Sequence, residues 1–245
     1  MTFRSDSTKQ IEIMSNIQSE KKDRLIEEIG DDHITNNIFD TPLRPDAFEM
    51  DDDTKMEKIE EHFREIMEIM GLDLTDDSLS GTPRRVAKMY VKELFSGLNP
   101  KNLPALTHFK NHYKYNEMLV ERDIMFHSNC EHHFVPIVGK AHIAYVANGQ
   151  VIGLSKLHRV VNHFARRPQV QERMTIQIGE ALRTVLGTDS VAVILDADHM
   201  CVSSRGINDQ TSSTVTTFYG GKFLEESTRN EFVKLVGLRQ GVMKY

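Results

Sequence analysis

Tryptophan is absent from the 245 residues of this chain, and cysteine occurs only twice, at Cys130 and Cys201. Two thiols cannot build a disulfide framework, so a small secreted scaffold is excluded and a reducing, cytoplasmic setting is expected. No apolar run approaches the roughly 20 residues of a membrane span. The opening MTFRSDSTKQ lacks the apolar stretch of a secretory signal. A surplus of positive charge is missing too: 30 Lys and Arg stand against 36 Asp and Glu, a formal net charge of −6. That balance argues against a general nucleic-acid binder, which wants a basic face. What is present, 39% apolar and 27% charged residues, suits a soluble globular protein long enough to bury a sizeable core.

The negative charge is concentrated at one end. Residues 1–55 carry 14 acidic and 7 basic side chains, or −7, which leaves the other 190 residues at +1. A near-neutral body still allows a local cationic pocket for a small anionic ligand. Residues 1–50 read as an acidic, partly disordered arm. Ile11, Met14, Leu25, Ile26 and Ile29 are scattered among its charges and support no more than a frayed helix. Thr41-Pro42-Leu43-Arg44-Pro45 reads as an extended connector, because proline disfavours helix in the residue before it.

Residues 51–105 read as a helical region. From Asp53, Met56, Ile59, Phe63, Ile66, Met67 and Met70 recur at helical spacing, and Gly71 follows as a stop. Thr82-Pro83 predicts a second start, with threonine as cap and proline at the first helical position. Val86, Met89, Tyr90 and Leu94 give it an apolar stripe, and Gly97 closes it. The two helices are expected to pack as a pair.

Residues 106–245 change texture. Segments 118–126 and 134–147 have strand character, and Asn148-Gly149 between Tyr145-Val146 and Val151-Ile152 predicts a hairpin. Two amphipathic helices follow, separated at Pro168. One is lined by Leu157, Val160, Val161, Phe164 and Ala165, the other by Met174, Ile178, Ala181, Leu182 and Val185. Strands near 191–197 and 213–219 and a short helix near 228–238 complete the chain. This order predicts an α+β fold, with two helices on one face of an antiparallel sheet.

Chemistry concentrates around Cys130-Glu131-His132-His133 and His199-Met200-Cys201. Thiolate and imidazole are the ligands zinc prefers, and three protein ligands leave a fourth position for water. Cys130 and His133, three apart, can be presented by one turn, with Cys201 arriving from a distant strand. His132 and His199 would then stand beside the metal, suited to proton transfer near neutrality. The plain alternative is a pair of inert core thiols. A closed structural site is another, with His127 as fourth ligand.

Gly153-Leu154-Ser155-Lys156-Leu157-His158-Arg159 places Ser155 where a helix begins, as a candidate cap. Free N–H groups there favour an anion. Lys156 and Arg159 share a helix face, and Arg205 follows the second cysteine closely. Together they suit a phosphate chain, although any one of them alone reads as a solvated surface cation. Glu172 opens the second helix of this region. The helix dipole explains a carboxylate there, and so does a pair of hydrogen bonds accepted from the N–H edge of guanine.

The segments CEHH, GLSKLHR, RPQVQER, HMCV and SRGI, in this order and spacing, resemble the GTP cyclohydrolase I family. TPLRP near residue 41 and TPRRVAKMYV at 82–91 look like the N-terminal part of its bacterial members. The likeness runs from about residue 40 to the C-terminus. It implies a tunnelling fold, in which sheets of several subunits close into a barrel. It also implies a homodecamer with active sites at subunit interfaces, and conversion of GTP and water to 7,8-dihydroneopterin triphosphate and formate. By the same resemblance Cys130, His133 and Cys201 match zinc ligands, and His132 and His199 match proton-transfer histidines. Glu172, with Gln171 beside it, matches the guanine anchor. Ser155, Lys156, Arg159 and Arg205 match positions that hold ribose and triphosphate. Arg85 matches an arginine reaching in from a neighbouring subunit. Neither a nucleic acid nor a membrane is an expected partner. His127-Ser128-Asn129 departs from the small residues expected before CEHH, and a histidine there disturbs the metal unless it points away. A zinc nucleobase deaminase is disfavoured, since its paired His/Glu and Pro-Cys-x-x-Cys motifs are missing. The remaining rivals are another tunnelling-fold enzyme acting on a pterin or deazapurine, and a non-catalytic zinc-stabilised binding protein.

Overall fold

The computed structural model of the chain describes residues 41–105 and 108–237. The part of the expected acidic arm before residue 41, and the frayed helix expected in it, lie outside the described residues.

Helix α1 (Asp52–Ile69) begins one residue earlier than the periodicity suggests, because Asp51 caps it. The Asp51 carboxylate accepts from the N–H groups of Asp53 and Thr54, each at 2.9 Å. Met56 and Met67 face inward, whereas Ile66 and Met70 of the same stripe are exposed. Gly71, at φ 80°, provides the left-handed stop. Helix α2 (Thr82–Lys88) is capped at Gly81, not at Thr82. The Thr82 hydroxyl is occupied otherwise, accepting from Arg85 Nη2 at 2.7 Å. Beyond Lys88 the helix widens into a π-helical turn, Met89–Leu94, which no periodicity announced. Gly97 then presses against the end of a later helix. Its N–H donates to the Arg166 carbonyl at 2.9 Å, and a Cβ there would stand 2.1 Å from the His163 carbonyl oxygen.

The α+β expectation holds for the rest. The strands are β1 (His108–Lys110), β2 (Met118–Cys130), β3 (Pro136–Val146), β4 (Gln150–Ile152), β5 (Pro168–Gln169), β6 (Val191–His199) and β7 (Thr214–Tyr219). Five form one sheet in the order β5-β2-β3-β6-β7, antiparallel except for the short β5-β2 pair. The Asn148-Gly149 turn exists, with Gly149 at φ 74°, but the expected hairpin does not. Tyr145 already pairs with Leu119 on one side and Val191 on the other, so β3 has no edge left. Strand β4 therefore pairs with β1, Val151 opposite Phe109.

Helices α3 (Leu154–Ala165) and α4 (Gln171–Leu186) cover one sheet face. Leu157, Val161, Met174, Ile178 and Leu182 meet Ile143, Tyr145, Val193 and Leu195 in the main core, all of them essentially inaccessible. Full burial of such side chains contributes roughly 1.5–3 kcal/mol each. The opposite face is not bare: Phe223 and Phe232, the latter on helix α6 (Glu226–Gly237), pack on Ala144, Val146 and Ala192. Among the described residues no helix is long and apolar enough to cross a membrane.

One buried histidine makes this scaffold acid-sensitive. His163 on α3 is enclosed, and Arg167 Nη2 lies 2.7 Å from its Nε2, which must accept. Burial first, and then the Arg167 charge, push its pKa from the ordinary 6.5 down to about 3. The unfolded chain binds a proton near pH 6.5 that the folded chain refuses until about pH 3. Its stabilising contribution is therefore complete above the unfolded value and is lost as pH falls across that window. Thermal unfolding midpoints should drop between those limits, and more gently for His163→Gln. Equal slopes for the two proteins would remove His163 as the cause.

Candidate metal centre and active site

Three pairings bring distant residues to one corner. Strand β2 lies beside β3 with Asn129 opposite Pro136, and β6 lies on its other side with His199 opposite Ile137. The ends of β2 and β6 thus flank the start of β3, carrying Cys130 and, in the short helix that directly follows β6, Cys201. That helix is α5 (Met200–Ser203). Strand β5 runs parallel to the end of β2, Gln169 opposite Cys130, and so delivers the start of α4 to the same corner.

A β-bulge sets which way Cys130 faces. Between Glu121 (opposite Ile143) and Ile124 (opposite Ala141), Arg122 and Asp123 stand against the single residue His142. The extra residue switches the parity of β2, so that Leu119 before it and Ile124, Phe126 and Cys130 after it all join the helix-covered core. Asp123 takes up φ 59°, and its N–H donates to His142 Nδ1 at 3.2 Å. Burial lowers the pKa of His142, which keeps the ring neutral and able to accept there. Parity also explains His127, which is exposed on the other face while Phe126 and Ser128 beside it are buried.

The donor atoms of Cys130, His133 and Cys201 lie within 4.8 Å of one another, and His127 is not among them. Both cysteines are free thiols. Burial, and then the neighbouring Cys130, push the Cys201 thiol up from its ordinary value. Two thiols and an imidazole converging at this range form a soft donor set for a tetrahedral metal, with a fourth position open. The turn that follows Cys130 presents His132 Nδ1 at 3.7 Å and His133 Nδ1 at 3.9 Å from its sulfur. Arg205 closes in from beyond α5, its Nη1 donating to His133 Nε2 at 3.0 Å.

His199 is held by Gln171. Gln171 Nε2 donates to the carbonyls of Thr214 (2.8 Å) and Leu195 (3.2 Å) and to Thr216 Oγ1 (3.1 Å), so its Oε1 must be the atom facing His199 Nε2 at 2.7 Å. His199 therefore donates through Nε2, and Nδ1 is its free nitrogen. Gln171 is 1% exposed, with its amide fully engaged in this way. Burial lowers the His199 pKa, opposed less strongly by the carboxylates of Glu172 and Asp198. Glu172 itself is exposed at the first turn of α4.

The cationic residues are arranged differently from the simplest expectation. Ser155 does not cap α3: the helix starts at Leu154 with Gly153 as cap residue and no side-chain cap bond, which leaves Ser155 exposed in the first turn. Lys156 Nζ donates to the Ala105 carbonyl at 2.9 Å. Arg159 is exposed and borders, with Asn162 and Arg166, a cavity of about 190 Å³ under Gly97. Arg85 belongs to α2 and donates to the Ser78 carbonyl at 3.0 Å. One residue escaped sequence reasoning altogether: Arg173, which is joined to Glu131 in the turn that follows Cys130. Its partner lies 42 positions away, and only the β2-β5 pairing brings the two together.

Comparison with known proteins adds an independent finding. Residues 59–237 match the sequence profile of the family described as GTP cyclohydrolase I. The chain is 54% identical over 214 residues to GTP cyclohydrolase 1 of Flavobacterium johnsoniae, which spans 87% of this chain and 96% of that protein. It is also 54% identical over 199 residues to the proteins of that name in Citrobacter koseri and Escherichia coli K12, across 81% of this chain and 90% of each relative.

Proposed function

Because the chain belongs to the GTP cyclohydrolase I family, we propose that Cys130, His133 and Cys201 hold a zinc ion at which GTP is hydrolysed and rearranged to 7,8-dihydroneopterin triphosphate and formate. The single observation that carries this reading is the meeting of those three donors beside the start of α4. Zinc bound there would supply Lewis-acid activation of water, lowering its pKa to about 7.

The chain's own residues do the rest. Glu172, exposed at the N-terminus of α4, accepts hydrogen bonds from the N–H edge of guanine and fixes the base. Water adds to carbon 8 while His199 Nδ1, free to accept, takes the proton the water gives up and passes it to the imidazole ring of the base, or His132 delivers one there. Ring opening gives a formamide, and a second water releases formate. The ribose then opens and rearranges to a ketone, and ring closure by condensation with the freed amine, with loss of one water, completes the dihydropterin. Proton transfer recurs at nearly every step, which is a reason to place two histidines at one metal. Gln171 holds His199 in the required orientation. Ser155, Lys156, Arg159 and Arg205 bind ribose and triphosphate, and this remote binding energy fixes carbon 8 at the metal.

A tunnelling fold assembled as a homodecamer agrees with two features of the single chain. Among the described residues strand β7 has no partner on its outer edge, and Ile66, Ile69 and Met70 leave an apolar end of α1 exposed. In such an assembly Arg85 reaches the triphosphate of a neighbouring subunit. A cytoplasmic location fits the reduced thiols.

The test is incubation with GTP, followed by assay of formate and of the fluorescent pterin that forms on oxidation. Both should appear in equal amounts. Glu172→Gln should lower kcat/KM by about 10–100-fold, the value of one hydrogen bond to a charged group. Release of ammonia, or consumption of NADPH in place of formate production, would contradict the reading.

A further inference from the structure

The turn Glu131-His132-His133 is tied down mainly through its backbone. Phe134 N–H donates to the Cys130 carbonyl at 2.8 Å, Cys130 N–H to the Val135 carbonyl at 2.9 Å, and Glu131 N–H to the Gln169 carbonyl at 3.0 Å. These bonds fix the path of the chain but not the rings it presents. The charged tether is different. Glu131 Oε2 takes a hydrogen bond from Arg173 Nη2, while Oε1 of the same carboxylate stands 3.9 Å from His132 Nε2. Arg173 is itself rigidly seated. Its side chain is 10% exposed, its Nε donates to Gln169 Oε1 at 3.2 Å, and Nη2 also reaches the Pro168 carbonyl at 3.3 Å. It projects from the first turn of α4, next to Glu172 in the chain.

We propose that Arg173 is a positioning residue: by gripping Glu131 it braces His132 and locks the metal-ligand turn to the guanine-binding start of α4. The proposal deepens the function given above and rests on it. A guanine fixed at Glu172 and a metal fixed at Cys130 and His133 belong to separate elements, and the productive geometry needs their separation held within a fraction of an ångström. The Arg173–Glu131 pair is the charged link between those elements. Outer partners of this kind typically change metal affinity or activity by about 10–100-fold when removed.

The experiment uses the full chain as the zinc-loaded enzyme, with Glu131→Gln, Arg173→Met, Arg173→Lys and the double variant Glu131→Gln/Arg173→Met. Three quantities are read: kcat and KM for GTP, the rate of zinc release to a chelator, and the unfolding midpoint. Glu131→Gln and Arg173→Met should each lower kcat about 10–100-fold, change KM by less than about threefold, and speed zinc release about tenfold. The double variant should be no worse than the poorer single, because both remove one link. Arg173→Lys should recover part of the loss. A pair that serves stability alone would lower the unfolding midpoint while kcat per folded chain and zinc release stayed at wild-type values; that result overturns the proposal. Should Arg173→Met fail to fold, Glu131→Gln decides, since it leaves the bonds of Arg173 to Gln169 and Pro168 in place. A wild-type protein that releases no formate from GTP would instead overturn the functional reading, and the zinc-release rates would still report whether the pair holds the turn.

Discussion

Replacing Cys201 with Ser should strip the metal and the activity together, to less than about 0.1 zinc per chain and a loss of formate release of about 10³-fold or more. Cys201 closes a three-donor set whose other members, Cys130 and His133, come from a single turn. Serine keeps the shape but not the soft thiolate, and at neutral pH its hydroxyl stays protonated. Two remaining ligands from a single turn hold zinc poorly. Because Cys201 is half-buried at the edge of the core, the substitution should leave the fold intact, measurable as an unchanged elution volume. Zinc content and formate are assayed on the same sample. Undiminished formate release from a zinc-free variant would show that the metal is not what activates water.

The second large effect separates the two adjacent histidines. His132→Ala should retain about one zinc per chain yet lose about 10²–10⁴-fold in kcat, the usual worth of a positioned acid–base group. The structure gives the reason for assigning the roles this way round. His133, not His132, belongs to the compact donor set and is contacted by Arg205, whereas the Nε2 of His132 is turned toward Glu131. His133→Ala should do the reverse and lose the metal. If His132→Ala is the variant that comes out zinc-free, ligand and proton carrier are interchanged.

The residues of the site were legible in the sequence to the extent that they are adjacent or chemically rare. CEHH and HMC stand out because thiols and paired histidines are scarce, and their soft-donor chemistry is the same wherever the chain puts them. The helices around Met56, Leu157 and Met174 were legible because a buried stripe imposes a 3.6-residue period. Where local pattern and tertiary context disagree, context wins. Asn148-Gly149 makes its turn, yet the strand after it goes to β1, because both edges of β3 are taken by partners that local sequence does not reveal. The bulge at Arg122-Asp123 has no glycine to mark it, and it nonetheless decides that Cys130 faces inward and His127 outward. The caps at Gly81 and Gly153 displaced the more polar Thr82 and Ser155. Arg173 was invisible for a related reason: an arginine in a helical first turn looks like a solvated surface cation until β5 lays it against Glu131.

The same contrast explains the cations. Lys156, Arg159 and Arg205 read alike as phosphate ligands, but in the single chain they lead different lives. Lys156 rests on a backbone carbonyl, Arg159 borders a shallow cavity, and Arg205 leans on the imidazole of His133. A triphosphate that drew these side chains together would have to replace each of those contacts with stronger, charge-assisted ones, which bidentate arginine–phosphate pairs supply.

X-ray absorption at the zinc edge of the resting enzyme tests the centre most directly. The account predicts two sulfur neighbours at about 2.3 Å, one imidazole nitrogen at about 2.0–2.1 Å and one oxygen from exchangeable water. A shell of four protein ligands, or one without two sulfurs, would contradict it.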